Sequence, residues 1–593
     1  MFMVTFFIFF VVSSDNPAIG QTSFEGAIAS DNLADELQTL KDNPISINTA
    51  KEQELLSIYW ITPELAKSIV LTRQKSGEFK KINDLKNVPG MTGEILKLIT
   101  PYIRIGAPKK PDNYSIQMRQ RVQDNLPETE DTAGIPYKTY TRLKIDYKKV
   151  SSSALIEKDY YEKSYYDFAS AGIMLQNYGI VEKIVAGDYV LDFAENLFFG
   201  VPPGATFKSQ GMIKGRSKGI KLNTTSGENN FLRGTGIELK PIHYIKNYLF
   251  FASTPIDGKI EGDEIKIYYD YEGDHSTSTG MEKKDRIKEN LLGTRFEYNN
   301  KLKVGATVYR NTYYSNPEGN ELGTHDVFSM DLSGSYTGIE WFAETGKCDS
   351  VWAGIGGLEY RKPEFKIGSL YRYYPSLFYT FHGTPFSDRS ITTAGELAEK
   401  GNYLYAGYKV SNNTLLNCYC DFFARLPNSD LTKPVSNGTE YSFDVEQKVN
   451  NIVSLTGKYA YKKLDESTDQ QFRLQTDISC KNKINFRFRV ERIVTESSAG
   501  NSGYVGIGGR AFKKLLFDTR VALFETTPLM YEYEADLPGL MTNQCISGKG
   551  KRWYLFLKYN IYSALSISGK YSMLSKESTL GSQKYGLQID FKK

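Results

Sequence analysis

The sequence predicts a mainly β fold, a large antiparallel transmembrane β-barrel preceded by a small all-α domain. Three observations carry that expectation. Strand-like alternation of apolar and polar residues repeats from about residue 113 to the C-terminus. Helical periodicity is confined to one block near the N-terminus. The chain is also rich in aromatic residues while staying polar on average, with 42 Tyr and 33 Phe against 4 Trp and 4 His and a mean hydropathy of -0.41. Such a composition suits a wall with lipid on one side and water on the other, girdled by aromatic rings. A soluble secreted β-protein is the other reading of the same numbers.

Charge and cysteine content exclude more than they propose. With 73 basic and 69 acidic side chains the net charge is +4, so bulk charge makes no case for nucleic acid. Five cysteines in 593 residues are too few, and odd in number, for a disulfide framework. Cys418 and Cys420 would share one face of a strand, with no further ligands at metal spacing around them.

Residues 1–14 open with an apolar run, Met1 to Val12, of signal-peptide length, too short to cross a membrane as a helix. No positive segment precedes it and no small-x-small cleavage site follows, so it reads as an atypical secretory signal. Residues 15–43 form a weakly patterned lead, with one short helix expected around Leu33 to Leu40.

Residues 44–104 are helical by period. Thr49-x-x-Glu52 has capping-box spacing ahead of Leu55, Leu56 and Tyr59. Thr62 and Pro63 can start a second helix with Leu65, Ala66, Ile69 and Val70 on one stripe, stopped by Gly77. A short helix containing Leu85, the turn Val88-Pro89-Gly90, and a last helix from Thr92 through Ile95, Leu96 and Ile99 complete the block. The order Ile47-Asn48-Thr49-Ala50, Gly77-x-Phe79, Asp84-Leu85, Val88-Pro89-Gly90-Met91 and Pro101-Tyr102-Ile103 resembles the tandem helix-hairpin-helix domain of periplasmic competence proteins that bind DNA. That resemblance implies phosphate contacts at Val88, Gly90, Thr92 and Gly93, with Lys67 and Lys97 nearby. Bare backbone N–H groups at a Gly-x-Gly turn can hold a phosphate at a helix N-terminus. This chain departs from the pattern, with Trp60 and Thr62 in the first turn and Thr92 in the second. Glu52, Glu54, Glu64, Glu78 and Glu94 also offset the local lysines, which weakens any phosphate attraction.

A polar linker at 105–112 leads to residues 113–593, where alternation takes over. Thr141, Leu143, Ile145 and Tyr147 oppose Arg142, Lys144 and Asp146; Ile484, Phe486, Phe488 and Val490 oppose Asn485, Arg487, Arg489 and Glu491. Hairpins are expected at 292–309, 504–524 and 553–571, and longer polar loops at 272–288, 314–325, 387–400 and 495–501. Segment counting predicts about 22–26 strands. The last one, with Tyr585, Leu587, Ile589 and Phe591 on one face, resembles the terminal recognition strand of outer-membrane barrels, and it needs an early strand to close against.

The run 185–200, Phe231-Leu232-Arg233-Gly234, Arg372-Tyr373-Tyr374-Pro375, Gly401-Asn402-Tyr403 and Asp421-Phe422-Phe423 also resemble segments of a group of outer-membrane proteins from Bacteroidetes-like bacteria that begin with helix-hairpin-helix repeats. Within that stretch, residues 196–232 can fold inward as a partial plug or lie at the rim as a loop. Asp188, Asp192, Glu195 and Arg233 are its candidate lumen or plug residues. There is no G-x-S-x-G elbow, H-E-x-x-H or P-loop, and His243, His275, His325 and His382 are scattered. The expectation is a non-enzyme without metal or cofactor. It would be an outer-membrane channel or anchor, in contact with lipid, whose N-terminal domain docks a partner in the periplasm. Handling of double-stranded DNA is the alternative.

Overall fold

The computed structural model describes residues 37–593 apart from 39, 42–43, 62, 92, 107–113, 127–133, 202–207, 209–213, 229–230, 262–265, 270–272, 274, 301, 363, 393, 481–483, 513 and 578. The signal-like segment, most of the lead, Thr62, Thr92 and most of the linker therefore lie outside the described residues.

In the helical domain the main helix is Pro63–Ser76, with Pro at its first position and Gly77 stopping it at φ +83°. Helix Glu52–Leu55 is capped two residues later than the Thr49 spacing suggests: the Glu54 carboxylate accepts from the N–H of Lys51 at 2.7 Å. The Leu85 segment is a 3-10 turn, Ile82–Asn87, and the last helix is Gly93–Ile99. Asn48 brackets the two halves, its amide exchanging two 2.9 Å hydrogen bonds with the backbone of Phe79. Parallel pairing of Ile45–Ser46 with Ile103–Arg104 ties the ends of the domain together.

Everything from Tyr114 onward is organised by one closed antiparallel barrel of 24 strands. Its closing seam joins the last strand, Thr579–Lys592, to the first, Tyr114–Leu126, from Gln583↔Leu126 to Lys592↔Gln117. A four-residue strand, Gly219–Leu222, lies beside the end of Val181–Asp192, while the wall itself continues by direct pairing of Val181–Asp192 with Leu232–Ile242. Closure follows from solvent: in hydrocarbon an unpaired strand edge has nothing to bond to.

The alternation sorts as expected. Leu143, Phe488, Val490, Phe472 and Leu474 are exposed on the outer wall, whereas Arg142, Arg487, Arg489 and Gln475 are buried inside. One end of the barrel has short turns, among them Thr337-Gly338 with φ +50° and +86°, the two left-handed positions of a hairpin turn matched to strand twist. The other end carries the longer connections, of which the described residues fall within 134–137, 159–167, 193–231, 257–286, 375–398, 426–435 and 535–541. Two expected loops are mostly strand: Glu321–Tyr336 begins after a brief turn, and Ile484–Thr495 and Ala499–Phe512 leave only 496–498 between them. Their Gly, Ser and Asn content reads as loop, but pairing such as Arg492↔Asn501 carries the ladder through it. Cross-strand pairing overrides weak local propensity.

Val490 stands 59% exposed near the middle of Ile484–Thr495. Val490→Arg should destabilise the barrel by about 2–4 kcal/mol, the cost of a midplane cation on a lipid face, in denaturant unfolding from vesicles. The same change at Thr456, which pairs with the inward Gln475, should cost far less. Equal effects at the two positions would contradict the assignment of faces.

Candidate functional site: the filled lumen

A ring of this size encloses more space than wall side chains can fill. In this protein the space is occupied by chain. Three segments enter from the long-loop end, and the helical domain meets them from the other.

The first comprises the described part of residues 193–231. Left-handed Ala194 and Asn196 (φ +47° and +66°) reverse the chain, and Phe193, Leu197, Phe198 and Phe199 are buried among inward rings of the wall. Phe199 lies 4.7 Å from Tyr309 and Phe193 5.0 Å from Tyr248, centroid to centroid. Such ring pairs add roughly 0.5–1.5 kcal/mol each beyond burial. A wall glutamate clamps the turn: Glu344 accepts from the N–H groups of Glu195 (2.9 Å) and Leu197 (3.1 Å).

The second, residues 375–398, buries Phe378, Phe386 and Leu397. It is hydrogen-bonded to the first, Gly200 N–H to His382 O and Thr384 N–H to Asn196 O, both at 2.9 Å. Glu399 repeats the role of Glu344, accepting from the N–H groups of Asp388 and Arg389.

The third is a hairpin. Strands Leu515–Glu534 and Thr542–Asn560 pair regularly up to Thr526↔Gly548, break register, then pair again from Met530↔Ile546. Beyond that break the hairpin turns into the lumen. Arg520 donates to Tyr533 O, Lys570 binds Asp536 at 2.8 Å, and Arg552 and Glu534 form an ion pair. At the tip, Pro538 O accepts from Arg121 (3.2 Å) and Gln588 (3.0 Å) on the seam strands. Met541 and Tyr533 pack into the hydrophobic core of the helical domain. That domain also reaches the short-turn end, where Lys67 donates to Asn300 O at 2.9 Å, and Tyr59 receives the Arg216 guanidinium over its ring at 4.3 Å. The hairpin therefore runs through the depth of the lumen.

Buried charges fasten this filling to the wall. Arg372, fully buried, bonds Glu399 at 2.6 Å and Asp421 at 2.9 and 3.1 Å. Lys208 of the first segment reaches Asp421, Glu440 and Asp388 of the second within 3.3 Å. Removing one member of such a network leaves an uncompensated buried charge, at a cost of about 3–5 kcal/mol.

The residues singled out from sequence fall in different places. Asp188 and Arg233 are brought together on adjacent strands, Arg233 donating at 2.7 and 2.9 Å. Glu195 accepts from Gly215 N–H at 2.6 Å inside the first segment, and Asp192 is buried where that segment begins. Val88 is in the helical core, Gly90 takes φ +85° in a partly exposed turn, and Gly93 and Lys97 lie on the last helix. Lys67 is engaged by the barrel turn. Sequence reasoning missed Glu344, Arg372, Glu399, Lys208 and the hairpin; charged residues at alternating positions of aromatic strands, such as Arg372 and Asp421, were the available signal.

At the long-loop rim, His275 is buried between Asp257 (Nε2 to Oδ2, 3.0 Å) and Asp167, with Glu162, Glu228, Lys284 and Asp285 around them. Ligand atoms of Glu162, Asp167 and His275, and of Glu228, Asp257 and His275, lie within 4.8 Å of one another, as do those of His325, Cys348 and Asp349. Both ring nitrogens of His275 face carboxylates, a pattern that suits the imidazolium, since only that form donates from both. Burial alone would lower its pKa; the hydrogen bonds to Asp167 and Asp257 together with the negative charge of those carboxylates outweigh burial and raise it to about 10. Burial and the neighbouring Asp257 push Glu228 up to about 9.

The closed ring, apolar outer band and chain-filled lumen define a plugged transmembrane β-barrel of the outer-membrane type. Residues 41–104 match the helix-hairpin-helix motif. Comparison with curated proteins finds no match. Among solved structures, the barrel is similar to the siderophore receptor PirA of Pseudomonas aeruginosa (8% identity, 82% of this chain and 81% of that one, TM-score 0.41). It is likewise similar to the copper transporter OprC (8%, 81% and 80%, TM-score 0.40) and to the translocation pore of the P pilus usher PapC (7%, 81% and 99%, TM-score 0.37).

Because the folded pKa of His275 is raised, its contribution to rim stability should be complete below about pH 6.5 and disappear as pH rises through about 10. Amide protection factors in residues 275–286 should fall across that window in the native protein and lose the step in His275→Gln. Constant protection throughout would show that this ion cluster does not hold the rim.

Proposed function

We propose that this chain is an outer-membrane barrel held shut by its own loops, and that its helical domain, on the periplasmic side, docks a partner that opens or steadies it. The observation that carries the reading is the packing of Met541 and Tyr533 into the helical core. It couples the domain mechanically to the hairpin that occupies the lumen, so displacing one pulls on the other. The domain keeps an open face for a partner, with Leu71, Lys75, Lys86 and Pro89 exposed. The barrel is thus a conduit or anchor whose default state is closed.

Full-length protein in planar bilayers should pass little steady current. Met541→Arg, which forces a charge into the domain's core contact, should raise conductance and make residues 44–104 accessible to protease. Release of the domain with unchanged conductance would sink the coupling.

Duplex DNA is the second reading, favoured by one observation: the Pro89-Gly90 turn is open and keeps the left-handed glycine. The engagement of Lys67 by Asn300 and the near-neutral charge weigh against it. Full-length protein in nanodiscs should not retain duplex DNA on a filter at low salt. Retention that is abolished by Gly90→Trp would replace the docking reading with DNA handling.

A further inference from the structure

Strands Glu321–Tyr336 and Ile339–Cys348 pair with Val327 opposite Cys348, and both side chains are buried. Side chains alternate along a strand, so His325 takes the face of Val327, two residues nearer the long-loop end. There it lies over the two-residue turn Asp349-Ser350, which leads into Val351–Arg361 through the pair Cys348↔Val351. The register thereby gathers an imidazole, a thiol and a carboxylate. His325 Nδ1 is 2.7 Å from Asp349 Oδ2, and Cys348 Sγ is 4.0 Å from the same oxygen. One ligand atom from each residue lies within 4.8 Å of the other two. No spacing motif marks the set, because pairing across one hairpin creates it.

Each group is held where it stands. Asp349 takes φ +56°, a left-handed position that Asp tolerates. Its N–H donates to Asp326 O at 2.8 Å and its Oδ1 accepts from Asp326 N–H at 3.0 Å, which aims Oδ2 at His325. The imidazole packs against Tyr313, Tyr379 and Phe381, with centroids 6.1, 5.2 and 5.6 Å away. Cys348 is a free thiol. The side chains of Asp349 and His325 are 45% and 22% exposed, so an ion can enter from solvent and keep one position for water.

We propose that His325, Cys348 and Asp349 form a binding site for a thiophilic divalent cation of the zinc class. Thiolate, imidazole and carboxylate together suit zinc, whereas magnesium and calcium take oxygen ligands. Zinc bonds of about 2.0–2.3 Å in a tetrahedron put ligand atoms roughly 3.3–3.6 Å apart, and the separations of 2.7 and 4.0 Å straddle that range. Small side-chain rotations therefore close the site. On binding, the Cys348 thiol proton leaves to solvent as the sulfur–metal bond forms, and the imidazole carries its proton on Nε2. One thiolate and one carboxylate then neutralise the divalent charge. The His275 cluster is the rival, but there both ring nitrogens already face carboxylates and Lys284 holds Asp167. The site does not depend on what the helical domain docks.

Cobalt(II) titration of the full chain in nanodiscs, followed by absorption, tests the assignment, since only cysteine ligation gives a thiolate-to-cobalt charge-transfer band. One equivalent should produce that band with tetrahedral d–d absorption, and zinc should bleach both. Cys348→Ser should abolish the charge-transfer band, and His275→Gln should leave it intact. His325→Ala, and Asp349→Asn, which keeps the left-handed turn, should each weaken cobalt binding at least about tenfold, since even the loss of an outer-sphere partner costs that much. No band with cobalt, a band that survives Cys348→Ser, or an affinity unchanged in His325→Ala would each overturn the proposal.

Discussion

The structure depends on one constraint, that every backbone donor and acceptor in the wall must find its partner within the protein. Lipid offers none. Twenty-four strands meet that requirement only by closing on themselves, and the seam between Thr579–Lys592 and Tyr114–Leu126 removes the last free edges. Closure at this strand number creates the second problem, a lumen too wide for wall side chains to fill.

The chain solves that problem with its own loops, and the chemistry of the wall shows how. Where the first two inward segments pack, the inner wall is aromatic: Tyr248, Phe250, Tyr309, Phe342, Tyr403 and Tyr405 lie in one buried cluster with Phe193, Phe198 and Phe378. Apolar contact alone would let such segments slide. Glu344 and Glu399 each gather backbone N–H groups from an inward turn, and Lys208, Asp388, Arg372 and Asp421 fix position by directional, charge-assisted bonds. In a low-dielectric interior these groups set register more than they add net stability. The inward hairpin uses the same devices at Arg552, Lys570 and Glu534, then hands over to the helical domain through Met541.

The domain contacts recast the helix-hairpin-helix resemblance. The turn that departs from the family pattern, with Trp60 and Thr62 in place of glycines, is the one beside the barrel contact, where Tyr59 meets Arg216 and Trp60 stacks on Tyr102 at 5.6 Å. The turn that keeps Gly90 stays open. Bulky side chains where a bare backbone would bind phosphate are consistent with a surface turned toward protein.

Much of the fold was legible because its determinants are local or periodic. Alternation in 141–147 and 484–491 identifies strands and their faces, since side chains point to opposite sides of a strand whatever its neighbours. The Pro63 and Gly77 punctuation brackets a helix for reasons of φ alone, and the amphipathic last strand announces a wall that closes. What the sequence could not settle was direction at the loops. Residues 193–199, 375–398 and 530–546 carry aromatic and charged side chains that would read equally well at a rim. Their place inside follows from partners more than a hundred residues away, as with Glu344 for Glu195 and Arg121 for Pro538. The sequence alone determined a closed wall with lipid outside; only the tertiary structure decided that the ring is full, because filling a lumen is a matter of which distant segments meet there, and pairing at that range leaves no period in the chain.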